Sequence, residues 1–124
     1  MKLLLAALLL SMSVHARQYI QCSDANSWDR MVVNLDAENS TLFMTTGVHD
    51  PDALNILKDL KLAASNESFH IYETQGEIIE SIEIPNEFID VYANYFLVQM
   101  TLTNSSTGSS RTRQMSCFSA LYDN

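Results

Sequence analysis

The chain has 124 residues, with seven basic side chains against fifteen acidic ones and a formal net charge of −8. That balance argues against nucleic acid as a partner, because neutralising phosphates needs clustered Lys and Arg, and equally against anionic membrane surfaces. The length fits one domain able to bury a real but thin core.

The first predicted element is a targeting segment. Lys2 precedes an unbroken apolar run, Leu3 to Leu10, and small and polar residues follow, ending Val14-His15-Ala16. These are the charged, apolar and cleavage regions of a signal peptide. The run is shorter than the roughly 20 apolar residues that span a bilayer. Its alternative is a buried N-terminal helix or strand. Cleavage after Ala16 predicts a signal peptide over 1–16 and a single secreted β domain over 17–124. Losing Lys2 leaves six basic against fifteen acidic groups, a net charge of −9. Cys22 follows "YIQ" rather than the end of the apolar run, so a soluble product is expected and not an acyl anchor. No later segment is apolar enough for membrane insertion.

In "RQYIQCSD", Ile20 and Cys22 share one face of an alternating strand. The next stretch, "SDANSWDR", is a polar loop. It carries the only tryptophan, Trp28, between Asp24 and Asp29 and beside Arg30. A loop Trp with hydrogen-bonding neighbours can anchor a partner; equally, it can fold over an open barrel end as a plug. "RMVVNLD" and "STLFMTTG" alternate Met31, Val33, Leu35 and Leu42, Met44, and "DAENS" between them supplies turn residues, which predicts a hairpin.

"HDPDALNILKDLKLAAS" is ambiguous. Asp50 as N-cap and Pro51 at the first helical position start a helix, whereas Ile56, Leu60 and Leu62 fit a strand interrupted by Lys58. A helical turn over Asp50–Leu57, then a strand to Ala64, is expected. "FHIYE" and "EIIESIEI" flank "TQG" as a second hairpin. Phe69 and Ile71 face one way, Ile78, Ile82 and Ile84 line one side of the next run with Glu80 among them, and Gly76 is free to take positive φ. "NEFIDVYA" reads as a connecting turn or short helix that packs Phe88 and Val91 or Tyr92. The third hairpin alternates Phe96, Val98, Met100 and Leu102, turns through "SSTGSS", and returns along "RTRQMSCFS", where Met115 and Cys117 share a face.

An exported chain with two cysteines pairs them, and the only possible pair is Cys22 with Cys117. The first and last strands must then lie within about 6 Å of each other at those positions. The predicted fold is therefore all-β: a single antiparallel β-barrel, or a sandwich, of seven or eight strands. It has one short helical turn, and a disulfide links the first and last strands.

Chemistry is sparse. His49 and His70 are the only histidines after processing, and no H-E-x-x-H, G-x-S-x-G, S-x-x-K or phosphate-binding Gly loop occurs. Asp50 and Asp52 are a weak metal candidate, better explained as a helix cap. Arg111 and Arg113 lie two apart, so both leave one strand face as a basic spot, either for an anionic group or paired with nearby acids. Sequons at Asn39, Asn66 and Asn104 do not exceed chance by much.

The candidate binding residues are Trp28, Arg30, Arg111 and Arg113, with no catalytic residue and no cofactor expected. The leading expectation is a small secreted or periplasmic, non-enzymatic binding domain that recognises a protein or other macromolecule. One alternative is an apolar-ligand carrier, for which the inner methionines Met31, Met44, Met100 and Met115 are suited. The other is a carboxylate-based hydrolase.

Overall fold

A computed structural model describes residues 16–24, 29–46 and 54–123. Eight strands run up and down in chain order: β1 Ala16–Asp24, β2 Asp29–Leu35, β3 Ser40–Thr46, β4 Leu54–Ser65, β5 Phe69–Glu73, β6 Ile78–Pro85, β7 Ala93–Asn104 and β8 Ser110–Asp123. Every neighbour is antiparallel. β1 pairs with both β2 and β8, so the sheet closes into a barrel and the sandwich option falls away. An eight-stranded barrel is just wide enough for side chains to fill. Here Ile20, Met31, Val33, Leu42, Ile82, Ile84, Val98, Met100 and Met115 fill it, all essentially fully buried.

The expected hairpins are present as β2–β3, β5–β6 and β7–β8. Gly76, in the β5–β6 turn, has φ 128°, a region that favours glycine. Cys22 and Cys117 are directly opposed in the β1–β8 register and disulfide-bonded, with Cα atoms 4.1 Å apart. The bond therefore staples the seam where the sheet closes. A disulfide at this place fits an oxidising compartment outside the cytosol.

Three local expectations are corrected. Residues 50–53 lie outside the described residues, but Leu54–Leu57 is strand, paired with Phe43–Thr46. The helical reading fails because Ile56, Lys58 and Leu60 alternate toward the interior, and the lysine finds an acidic partner there. The one described helical turn is instead a 3-10 turn at Asn86–Phe88. Its last residue, Phe88, packs on the core as expected and is joined there by Ile89, whereas Val91 and Tyr92 are exposed. In β5, Phe69 and Ile71 share a face as expected, but His70 and Tyr72 are the residues paired with Ile84 and Ile82 and so share the inner side with those isoleucines.

The β6–β7 connection folds over one end of the barrel. The Phe88 ring stacks on Phe96 at 4.4 Å. Gln18, fully buried, donates through Nε2 to the Phe88 carbonyl at 2.7 Å and the Val91 carbonyl at 3.3 Å, and its Oε1 accepts from the Asp90 N–H at 2.9 Å. Ser119 Oγ also donates to the Val91 carbonyl, at 2.7 Å. One inward amide thus satisfies the polar backbone of a left-handed turn, since Asp90 has φ 58°.

Candidate functional site

Toward the opposite end the barrel interior turns from apolar to charged. Asp24 and Asp29 face each other where β1 and β2 meet. Arg113, inward on β8 two residues before Met115, reaches both: its Nη1 lies 2.5 Å from Asp29 Oδ2 and 3.6 Å from Asp24 Oδ2. All three side chains are largely shielded, which strengthens the pairing relative to a surface pair. Nη2 also rests against Met100 Sδ at 3.7 Å.

A second charged group sits on the β4–β6 side. Lys58 Nζ donates to Glu80 Oε2 at 3.0 Å and to the Ile78 carbonyl at 3.1 Å. Thr74 Oγ1 donates to Glu80 Oε2 at 2.5 Å and accepts from the Glu80 N–H at 2.9 Å. Glu80 is 2% exposed. A carboxylate buried that deeply needs both a counter-charge and hydrogen bonds, and Lys58 and Thr74 between them supply both.

The sequence candidates are dispersed. Arg113 belongs to the Asp24–Asp29 cluster. Arg111 is exposed two residues nearer the β7–β8 turn, and Arg30 is exposed on the outer side of β2. Trp28, His49, Asp50 and Asp52 lie outside the described residues. His70 has a structural tie: its Nδ1 is 2.6 Å from Asn86 Oδ1, and Asn86 Nδ2 donates to the Asn66 carbonyl at 2.7 Å, linking the β4–β5 turn to the 3-10 turn. Among the described residues no group of three or more His, Cys, Asp or Glu is arranged to hold a metal ion, and no helix is long and apolar enough to cross a membrane.

The outer wall of the barrel carries an alignment that chain order alone does not reveal. Across five strands, one row of outward positions runs Phe118, Gln21, Val32, Phe43, Leu57, each paired with the next in register. Phe118 is 50%, Phe43 40% and Leu57 70% exposed, and Tyr95 and Leu97 of β7 extend the apolar surface beyond β8. The signal was present in "VVNL", "LFMT" and "SCFSA", where apolar residues occupy both faces of a strand. Only the closed register shows that the outer ones line up.

Compared with known proteins, the chain matches no family model, and neither a curated protein nor a solved structure matches it.

Proposed function

We propose that the chain is a small secreted or periplasmic binding domain, non-enzymatic, that recognises a protein partner from the surface of a disulfide-stapled barrel. The observation that carries this reading is the run of adjacent outward residues Val32, Phe43 and Leu57, flanked across Gln21 by Phe118. Scattered apolar residues are normal on a protein surface, whereas contiguous ones mark interaction sites, and aromatic residues dominate interface energetics. The interior supports the same reading. Its apolar part is occupied by packed side chains, and its charged groups Lys58, Glu80, Arg113, Asp24 and Asp29 are engaged with one another.

The test is capture from envelope or secreted extract with the wild type and with Phe43→Ser/Leu57→Ser. Both side chains lie outside the barrel core, and an unfolding curve of the variant checks that it remains folded. A partner retained by the wild type and lost by the variant supports the proposal. No partner, or equal retention by both, refutes it.

A further inference from the structure

At the end covered by the β6–β7 connection, a groove of about 670 Å³ opens between the β2–β3 turn and β4. Its floor is apolar: Leu35, Leu60, Leu62, Tyr72 and Ile89. Its rim carries four carboxylates, Asp36, Glu38, Asp59 and Asp90, against a single ammonium, Lys61. Arg17 Nε lies 3.0 Å from Asp36 and compensates that carboxylate, which leaves Glu38, Asp59 and Asp90 as the exposed acids.

The groove is also where a sheet edge is open. β4 pairs with β3 only as far as Leu60, opposite Ser40, yet it continues to Ser65 with β5 on its other side. Among the described residues, the β3-side edge of β4 beyond Leu60 has no strand neighbour. Open edges of this kind accept an extended segment by main-chain pairing, and alternate side chains of that segment then meet the surface beneath.

We infer that this groove docks an extended, cationic segment of a protein partner, with its apolar side chains on Leu62, Tyr72 and Ile89 and its Lys or Arg side chains toward Glu38, Asp59 and Asp90. Three features of one place agree on that occupant: an apolar floor, an acidic rim and a free strand edge. The walls are held in shape beforehand. Glu38 N–H is tied to Asp36 Oδ1 at 3.1 Å within the turn, and the Asp90 N–H is held by Gln18. Little ordering is therefore required when the segment arrives. The inference rests on the protein-partner reading but concerns a different surface from the outer row.

The probe is an acetylated octapeptide alternating Lys and Val, titrated into the isotope-labelled protein and followed by amide chemical shifts. Shifts centred on Leu62, Tyr72 and Ile89 are expected. Affinity should fall tenfold or more in Glu38→Gln/Asp59→Asn/Asp90→Asn, and likewise in Leu62→Lys, which places a cation on the floor. The charge-matched control Glu67→Gln/Glu77→Gln/Glu83→Gln changes none of the groove residues and should stay within twofold of wild type. Equal losses in both triple variants would mean general attraction to an acidic protein and would overturn the inference. So would an absence of shifts, or equal binding of a Glu-Val octapeptide. None of these failures touches the outer row, whose variant is tested separately.

Discussion

Replacing Lys58 with Met tests how the barrel tolerates a charge in its interior. The substitution removes the ammonium that faces Glu80 at 3.0 Å while keeping an unbranched side chain of similar length. Glu80 then retains Thr74 as its hydrogen-bond donor but no counter-charge. Removing one partner of a buried ion pair typically costs about 3–5 kcal/mol. Here the lysine side chain is 29% exposed, so water reaches that side of the pair, and the expected loss is about 2–3 kcal/mol. Glu80→Leu leaves the more accessible lysine with the Ile78 carbonyl and should cost about 1–2 kcal/mol. The double variant Lys58→Met/Glu80→Leu replaces the pair with apolar groups and should lie within about 1 kcal/mol of wild type. The coupling between the sites is then about 2 kcal/mol or more. Urea unfolding at neutral pH measures all four proteins. A loss under about 0.5 kcal/mol for Lys58→Met, with additive single variants, would show that the pair is solvated and that the interior is not where the charge sits.

Three further outcomes are expected. Cys22→Ala/Cys117→Ala opens a loop of 95 residues and should lower stability by up to about 4.7 kcal/mol on the chain-entropy account, read as a fall in the denaturant midpoint; an unchanged midpoint would mean that the β1–β8 ladder alone secures the seam. Gln18→Leu orphans the Phe88 carbonyl and the Asp90 N–H, at about 1–3 kcal/mol per buried group. Hydrogen exchange should accelerate over residues 86–92 before anywhere else. Burial, with the Asp90 carboxylate adding to it, raises the Tyr72 phenol above its ordinary value of 10.0. The unfolded chain therefore releases that proton first, so stability is full below about pH 10 and declines as pH rises from there through the folded value. Tyr72→Phe should remove that part of the alkaline decline in a midpoint-versus-pH series.

The seam was legible because it is written in two short patterns. Ile20 with Cys22, and Met115 with Cys117, put both sulfurs on apolar strand faces, and only one pairing was available. The cysteine pattern does not distinguish a barrel from a sandwich, since each brings the ends together; β1 pairing on both edges decides between them. The start of β4, Leu54–Leu57, is ambiguous in sequence because Lys58 occupies an inward position, and its compensation by Glu80 lies 22 residues away, outside any local window. β5 looked apolar at Phe69 and Ile71, but the inward positions are His70 and Tyr72, the former held by a tie to Asn86 that no periodicity reveals. The direction of Arg113 is readable from its parity with Met115 and Cys117; its acidic partners Asp24 and Asp29, more than 80 residues earlier, are not. The groove has no such signature, and the outer row only the apolar residues on both faces of its strands, because the alignment of each depends on how registers accumulate around a closed sheet.

The position of the sulfur clasp has a mechanical consequence. Ala16 and Asp123 are partners at one rim, and Cys22–Cys117 follows six pairs farther along the same ladder. Tension applied between the two ends would peel β1 from β8 one rung at a time, then halt at a covalent stop. At about 3.5 Å per extended residue, twelve freed residues yield roughly 40 Å of slack. The remaining shell would keep its curvature under load, as a hoop does when only the overlap beyond its rivet has been pried apart.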